Sequence, residues 1–375
     1  MSERPRVWVS QPLFADVLAR LDEHFEVEAT REVTRHEPAA VNAILRRMDG
    51  ALVTLNDPIG AGQIAGAQRL RAIANVGVGY NNLDIAALSA AGILASNTPD
   101  VLTETTADFG FALMMAAARR MSEAERWLRD GHWQRWSFDS LLGADVHGAT
   151  LAILGMGRIG QAIARRATGF GMRTLYHNRS RLPAAVEAEC KAQYVGFDEL
   201  LARADHLVLV LPYSPQSHHL IDAAALAKLR PHATLTNIAR GGIVDEDALC
   251  DALEHDRLGA AGLDVYEGEP RLNPRLLQQR RVVLTPHIAS GSLATRRAMV
   301  ALAVDNLIAA LGFGPRAGDP PSPINGRTRD RGPGTRDPDL EADRNSRFSV
   351  PGPRSPVPPP KLHPPEMGPA VPTLR

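Results

Sequence analysis

The sequence predicts an α/β protein with two doubly wound parallel sheets, and three observations support this fold class. Short apolar stretches alternate with segments of helical periodicity along most of the chain. A glycine-rich turn joins one such stretch to a helix near the middle of the sequence. The same alternation starts again after a long helix rich in Ala, Met and Leu. A strand–helix–strand rhythm of this kind builds parallel sheets that are covered by helices on both faces.

The first unit contains three predicted strands. Residues 6–10 (RVWVS), 51–55 and 72–76 are short apolar runs, and a helical stretch precedes each of the later two. Residues 12–24 predict a helix, because their apolar side chains recur at a spacing of three and four residues.

The second unit follows a predicted helix at residues 104–120 and a loop that contains Trp127, Trp133 and Trp136. A last helix near residues 293–311 is expected to return to the first unit. The strands of the second unit are predicted at residues 150–155, 173–177, 206–212, 234–239, 261–265 and 282–286.

Residues 315–375 form a tail of different composition. They contain more than half of the 28 prolines and lose the hydrophobic periodicity. Such a segment cannot bury enough apolar surface to offset the entropy of ordering it, so we predict that it is disordered. A linker-like tail and a read-through sequence without function both fit this composition.

Composition and charge exclude several classes of protein. The chain has 42 Lys and Arg against 42 Asp and Glu, whereas nucleic-acid binders usually carry a basic excess. No apolar stretch approaches the ~20 residues of a membrane span, and the N-terminus lacks the apolar run of a signal peptide. The two cysteines form no CxxC pair, which fits a reducing cytoplasm.

The segment Gly155-Met156-Gly157-Arg158-Ile159-Gly160 matches the pattern G-x-G-x-x-G between a predicted strand and a predicted helix. The three glycines would allow a tight turn, close approach to a pyrophosphate, and close packing of helix on strand. The helix N-terminus would add free N–H groups for the anion. This context favours a dinucleotide site in a Rossmann domain over a glycine-rich turn in an ordinary βα unit.

The residues after the next strand bear on the choice of cofactor. Dinucleotide sites for NAD place Asp or Glu about 20 residues after the loop, on the ribose hydroxyl. Here the positions hold Asn178, Arg179, Ser180 and Arg181, and no acidic residue occurs between Gly160 and Glu187. Two guanidinium groups would attract a 2′-phosphate, which favours NADP(H). NAD(H) remains possible if the arginines are a solvated surface pair.

Three later segments, 237–245, 262–270 and 285–288, each lie just past a predicted strand and could project into one cleft. They offer the guanidinium of Arg240, the carboxylate of Glu269 and the imidazole of His287. A guanidinium can bind a substrate carboxylate, and an imidazolium can protonate an alkoxide formed by hydride transfer. A neighbouring carboxylate would keep the imidazole protonated. Glu267 competes with Glu269 for that role, and no metal is predicted.

These motifs, in this order, resemble the D-isomer-specific 2-hydroxyacid dehydrogenase family over about residues 5–325. The resemblance includes residues 76–82, 97–113, the loop GHWQRW and Leu211-Pro212. It implies that Arg240 anchors the substrate, that His287 is the acid/base with Glu269 as its partner, and that the backbone N–H groups of Val78 and Gly79 bind the substrate carboxylate. It also implies a contact between Asp264 and the nicotinamide amide, although Asp264 could instead cap a turn. Cofactor contacts are further expected from Thr106, Leu211, Pro212, Ile238 and Ala239.

The resemblance also implies the domain organisation. A Rossmann cofactor domain, residues 101–286, would be inserted in a flavodoxin-like substrate domain formed by residues 1–100 and 287–314. The family is usually dimeric, so a homodimer with contacts from the Trp-containing loop is expected.

Asn81-Asn82 and residues 177–181 resemble the glyoxylate/hydroxypyruvate and 2-ketogluconate reductases of this family. The expected function is therefore reduction of a small 2-keto acid to the D-2-hydroxy acid with NAD(P)H. A 2-ketogluconate reductase or a phosphoglycerate dehydrogenase are alternatives within the family. A cofactor-sensing binding protein, like the corepressors that share this fold, is the alternative that is not an enzyme.

Overall fold

A computed structural model describes residues 4–326. Its strands are β1 (Arg6–Val9), β2 (Glu26–Ala29), β3 (Gly50–Val53), β4 (Ala72–Asn75), β5 (Leu94–Ser96), β6 (Thr150–Leu154), β7 (Arg173–His177), β8 (Ala192–Tyr194), β9 (His206–Leu209), β10 (Thr234–Asn237), β11 (Ala260–Leu263) and β12 (Val282–Leu284). Its helices are α1 (Ala15–Asp22), α2 (Pro38–Leu45), α3 (Ala61–Ile64), α4 (Ile85–Ala90), α5 (Thr103–Ala118), α6 (Met121–Arg129), α7 (Arg158–Thr168), α8 (Ala184–Cys190), α9 (Phe197–Arg203), α10 (Ala223–Leu226), α11 (Glu246–Glu254), α12 (Pro274–Gln278) and α13 (Leu293–Ala310).

The first sheet has five parallel strands in the order β2-β1-β3-β4-β5. This is the flavodoxin-like order. Alternate residues of its strands enter two different cores, as the period of two requires. Val7 and Val9 pack with α13, whereas Trp8 packs with α2 on the other face.

The second sheet has seven parallel strands in the order β12-β11-β10-β9-β6-β7-β8. The order reverses between β6 and β9, which is the switch point of a Rossmann domain and the usual place for a dinucleotide. Leu151 and Ile153 of β6 pack on the α5–α7 side, and Ala152 and Leu154 pack on the α9–α11 side. The predicted fold class is therefore confirmed.

Helix α13 returns the chain to the first sheet, where it packs against β3, β4 and α1. Its N-terminus is capped by Ser292, whose Oγ accepts a hydrogen bond from the Thr295 N–H over 3.2 Å. None of the helices within residues 4–326 is long and apolar enough to cross a membrane.

The sequence analysis did not predict three of the strands, β2, β5 and β8. All three lie at an edge of a sheet. Edge strands are short and half-exposed, so their sequences lack a clear apolar pattern. The segment EVEA of β2 alternates two glutamates with Val27 and Ala29, for example. The loop predicted around Trp127 is also wrong in part, because Trp127 lies in the helix α6.

The predicted start of the tail at residue 315 is too early. Pro323 forms an antiparallel bridge with Ser96 of β5, and the Ile324 N–H donates to the Ala95 carbonyl over 2.8 Å. The Ser322 hydroxyl donates to the Asn97 carbonyl over 2.7 Å. Edge pairing of this kind supplies the hydrogen bonds and packing that the composition alone did not indicate. Residues 327–375, the rest of the predicted tail, lie outside the described residues.

Candidate active site

The glycine-rich turn after β6 has the geometry of a phosphate loop. Gly155 has φ +102°, and a Cβ there would lie 2.7 Å from the Leu211 backbone nitrogen. A Cβ at Gly160 would lie 2.4 Å from the Gly155 carbonyl oxygen, so α7 can approach β6 only because this residue is glycine. A Cβ at Gly157 meets nothing within 4 Å, which leaves that side of the turn open.

Helix α7 begins at Arg158 without a side-chain cap, so the N–H groups of its first turn are available to an anion. The Met156 N–H is held by the Oδ1 atom of Asn178 over 2.7 Å, while the Met156 side chain is buried in the core. The hydroxyls of Thr106 and Thr236 are buried and have no hydrogen-bond partner within residues 4–326. The N–H groups of the first turn of α7 and the open side of Gly157 are the features that suit a bound pyrophosphate. The residues present therefore fit a dinucleotide.

The two arginines predicted to select the cofactor differ in their surroundings. Arg181 forms a two-point ion pair with Glu187, at 2.9 and 2.8 Å, and the Tyr176 hydroxyl donates to the same carboxylate over 2.7 Å. These hydrogen bonds from Arg181 and Tyr176 lower the pKa of Glu187 to about 2. Arg179 and Ser180 are exposed beside them. Glu187 thus compensates one of the two positive charges, which the sequence did not indicate.

A cleft of about 360 Å³ lies between loops of the two sheets. The predicted cofactor and substrate residues in its lining are Val78, Gly79, Ile159, Leu211, Pro212, Ile238, Ala239 and Arg240, and Tyr80, Asn81, Leu83, Val210 and Tyr213 complete it. The structure therefore brings the phosphate loop and the turn after β4 to one cleft.

Asparagine side chains hold the turn after β4. Asn97 donates to the Val78 carbonyl over 2.8 Å, and Asn75 donates to the Gly79 carbonyl over 3.0 Å. Asn82 donates to the Oδ1 atom of Asn75 over 3.1 Å. Within the described part of the chain, no acceptor is bonded to the N–H groups of Val78 and Gly79. Both groups can therefore bind an anion without losing an internal bond.

Arg240 reaches from β10 to that turn. Its Nε atom donates to the Oδ1 atom of Asn81 over 2.8 Å, and its Nη1 atom donates to the Ala239 carbonyl over 2.6 Å. A Cβ at Gly79 would lie 1.7 Å from the Nη2 atom, so the guanidinium rests directly on this glycine. Burial lowers the pKa of Arg240, and the charge of Glu269 opposes that effect. A guanidinium stays charged under these conditions.

His287 and Glu269 form a pair in which the imidazole Nδ1 lies 2.8 Å from the carboxylate Oε2. The other oxygen of Glu269 accepts a hydrogen bond from the Tyr266 N–H over 2.8 Å. Burial alone would raise the pKa of Glu269. The hydrogen bond and charge of His287, the Tyr266 N–H and the charge of Arg240 outweigh burial, so the pKa lies below its usual value.

The competing glutamate, Glu267, has different partners. Its Oε2 atom lies 2.8 Å from the Nε2 atom of His219, and its N–H donates to Glu246 over 2.7 Å. Glu269 is therefore the carboxylate that contacts His287.

Asp264 is fully buried, and its carboxylate is occupied by three donors. One oxygen accepts from the Thr285 hydroxyl and the Ile288 N–H, at 2.7 and 2.8 Å, and the other accepts from the Ala289 N–H over 2.8 Å. These donors flank His287, which itself has φ +54°. Asp264 therefore caps the turn that carries His287, whereas its expected contact with a nicotinamide amide stays a prediction.

Both the sequence and the fold are similar to those of known proteins. The model of the D-isomer specific 2-hydroxyacid dehydrogenase family, NAD binding domain, matches residues 111–289. A glyoxylate reductase from Thermococcus gammatolerans is 42% identical over 310 residues, which are 82% of this chain and 92% of that one. A glyoxylate reductase from Pyrococcus horikoshii is 40% identical over 310 residues, or 82% and 92% of the two chains.

Among solved structures, the chain is similar to an NADPH-dependent glyoxylate/hydroxypyruvate reductase from Sinorhizobium meliloti in complex with NADP and malonate. The TM-score is 0.77 and the sequence identity is 35%, over 86% of this chain and 97% of that one.

Proposed function

The chain belongs to the D-isomer specific 2-hydroxyacid dehydrogenase family, and from this we propose that it reduces glyoxylate or hydroxypyruvate to the 2-hydroxy acid with NAD(P)H. The choice of glyoxylate and hydroxypyruvate is supported by its relatives, which include glyoxylate reductases and a glyoxylate/hydroxypyruvate reductase. The observation that carries the proposal is the His287–Glu269 pair, whose carboxylate also interacts electrostatically with Arg240. Keto-acid reduction needs an anion anchor and a proton donor at one place, and these side chains supply both.

In the proposed mechanism, Arg240 and the N–H groups of Val78 and Gly79 bind the substrate carboxylate. These donors surround the place where the guanidinium rests on Gly79. Because the carboxylate is held at several points, the adjacent carbonyl is fixed relative to the cofactor cleft. The carboxylate is thus the part of the substrate that sets its orientation.

A nicotinamide cofactor held by the phosphate loop would supply the hydride that the carbonyl carbon accepts. His287 then donates its Nε2 proton to the carbonyl oxygen as negative charge develops there. The Nδ1–H group of His287 stays hydrogen-bonded to the Oε2 atom of Glu269, with 2.8 Å between the nitrogen and the oxygen. This bond keeps Nε2 directed at the substrate. The carboxylate of Glu269 remains ionised throughout and balances the positive charge of the His287 imidazolium.

We assign the cofactor domain to the second sheet and the substrate domain to the first sheet with α13. Preference for NADP(H) is part of the proposal. It is supported by the exposed Arg179 and Ser180 beside the end of β7, where an acidic residue would repel a 2′-phosphate. Arg181 supports the preference for NADP(H) less, because its guanidinium already forms an ion pair with Glu187.

A homodimer is also proposed. Large apolar side chains are exposed along the segment from α6 to β6, among them Trp133, Trp136, Phe138 and Leu142, and Phe138 is 87% exposed. Apolar area of this extent usually marks an interface. Light scattering after gel filtration should give twice the chain mass. A double variant, Trp136→Ser with Phe138→Ser, should give one chain mass, whereas a dimer that persists in this variant would contradict the proposed contact.

The direct test of the proposed function is a panel of 2-keto acids assayed with NADPH and with NADH. Glyoxylate and hydroxypyruvate should be reduced with kcat/KM values above those for phosphohydroxypyruvate and 2-ketogluconate. Turnover of 2-ketogluconate alone would replace the proposed substrates. Tight NADPH binding without turnover of any keto acid would indicate a cofactor-sensing protein instead.

A further inference from the structure

A second cluster of ligand-type side chains lies outside the catalytic pair. It consists of His218, His219 and Glu267, and each offers one potential ligand atom within 4.8 Å of the other two. We propose that these three residues bind a divalent transition-metal ion of the Zn²⁺ type. The proposal concerns a binding site that the reduction reaction does not use.

The donor set suits such an ion. Two imidazole nitrogens and one carboxylate oxygen are the ligands that Zn²⁺ accepts readily, whereas Mg²⁺ and Ca²⁺ prefer oxygen alone. Tetrahedral ligands at the usual bond lengths lie about 3.4 Å apart. The His219 Nε2 and Glu267 Oε2 atoms, now 2.8 Å apart, must therefore separate slightly, and the ligand atom of His218, within 4.8 Å of both, must adjust to the same spacing. His218 and Glu267 are exposed and His219 is half-buried, so the side chains have room to make that adjustment.

The two halves of the cluster are already fixed by the backbone. The His219 N–H donates to the Gly242 carbonyl over 2.8 Å, and Ile221 pairs in parallel with Val244. On the other side, the Glu267 N–H is held by the carboxylate of Glu246. A metal would therefore join two loops whose separation is set by the fold, which lowers the entropy cost of binding.

The ligand side chains also have outer partners. The Nδ1 atom of His218 lies 3.1 Å from the Tyr213 hydroxyl, so its Nε2 lone pair can be directed at an ion. The rings of His218 and His219 stack with their centroids 3.9 Å apart, so one of the two imidazoles must rotate before both can coordinate the ion. The Nε2 atom of His219 already lies 2.8 Å from the Oε2 atom of Glu267, and the metal would replace the proton shared there.

The electrostatic surroundings favour a cation. Asp245, Glu246 and Asp247 line a shallow pocket beside His219 and Glu267, and Arg271 is the cationic residue among its lining. These carboxylates place negative charge beside the cluster, although Arg275 lies 3.5 Å from Asp247 and offsets part of it. Negative charge of this kind concentrates divalent cations.

The test measures metal binding and not turnover. A failure of the metal-site proposal can therefore be told apart from a failure of the proposed reductase activity. Chelator-treated full-length protein is titrated with Zn²⁺ by calorimetry and with Co²⁺ by visible absorption. Wild type should bind one Zn²⁺ per chain, and Co²⁺ should give the intense visible bands of a tetrahedral site.

The main variant is His219→Asn, because His219 has φ +48° and asparagine tolerates that conformation. Glu267→Gln is the second variant, and both should weaken Zn²⁺ binding by at least about tenfold, as loss of a ligand does. His255→Asn is the matched control, because His255 lies outside the cluster and its ring nitrogen Nδ1 is hydrogen-bonded to the Asp251 carbonyl. It should bind Zn²⁺ as wild type does.

Unchanged Zn²⁺ affinity in both His219→Asn and Glu267→Gln would overturn the proposal. So would binding that is lost in His287→Asn but kept in His219→Asn, since the ion would then bind at the catalytic pair. Melting curves of the variants show that each is folded before its titration is interpreted.

Discussion

The Nε atom of Arg240 donates a hydrogen bond to the Oδ1 atom of Asn81 over 2.8 Å. This bond links the end of β10 in the second sheet to the turn after β4 in the first sheet. Because asparagine is neutral, Asn81 positions the guanidinium without compensating its charge. Asn81 thus takes none of the positive charge of Arg240 away from the carboxylate of a substrate.

Asn81→Asp should therefore raise KM for glyoxylate by about tenfold, with a smaller change in kcat, because a carboxylate at this position competes with the substrate for Arg240. Steady-state kinetics at fixed NADPH measure both constants. Gln193→Glu adds the same charge at an exposed position of β8, four strands away from β10 in the sheet, and should leave KM unchanged. An unchanged KM in Asn81→Asp would show that Asn81 does not affect the anchor.

Gly79→Ala should reduce kcat/KM by roughly 100-fold, since the new Cβ would lie 1.7 Å from the Nη2 atom of Arg240 and displace the guanidinium. Gly62→Ala is the matched control, because its Cβ would meet nothing within 4 Å. The control should keep wild-type kinetics. If Gly79→Ala does so as well, Arg240 does not bind the substrate in the position described.

Glu269→Gln should lower kcat for glyoxylate reduction by about tenfold, because His287 loses the carboxylate that orients it, and pH–rate profiles of both proteins measure the change. In wild type the lowered pKa of Glu269 keeps its carboxylate ionised as the pH falls past about 4.3, the value for a free glutamate. Protonation of Glu269 therefore adds no fall in rate between about pH 5 and 7 on the acid side of the pH–rate profile. Glu254→Gln, at the end of α11, controls for the loss of a surface charge.

Stability gives an independent check on the same carboxylate. A group with a lowered folded pKa stabilises the fold above its unfolded pKa, and that contribution disappears as the pH falls through the folded pKa. The difference in free energy of unfolding between wild type and Glu269→Gln should thus be largest at neutral pH and shrink in acid. Urea denaturation across this range measures it, and a difference that grows in acid has the wrong sign.

Arg179→Ala should lower kcat/KM for NADPH by about tenfold and leave NADH almost unchanged, because only NADPH carries the 2′-phosphate. Arg181→Ala should have the smaller effect, since the Arg181 guanidinium is engaged by Glu187. The ratio of kcat/KM for the two cofactors is the measurement. Equal use of both cofactors by wild type would refute the proposed preference.

The phosphate loop and the three catalytic candidates could be predicted from the sequence for a simple reason. Each follows a strand of a parallel sheet, and the carboxyl ends of such strands lie at one edge. Gly155, Arg240 and His287 follow β6, β10 and β12, so their proximity follows from the order of the elements. The residue types then indicate the chemistry.

The remaining contacts depend on how separate loops meet, which periodicity does not encode. The bond between Asn81 and Arg240 joins residues 159 positions apart. Glu187 was visible as the first acidic residue after the loop, but its pairing with Arg181 requires α8 to fold back on the end of β7. The hydrogen bond from Ser322 to the Asn97 carbonyl likewise arises from pairing at the edge strand β5, which the sequence did not predict.

The central claim is that His287, held by Glu269, protonates the substrate. His287→Asn tests it most directly, because asparagine tolerates φ +54° and the turn should stay folded. We expect kcat for glyoxylate reduction to fall by about 10³-fold or more, while the Kd for NADPH, measured by fluorescence, stays within about twofold of wild type. A folded His287→Asn variant that keeps wild-type turnover would contradict the account.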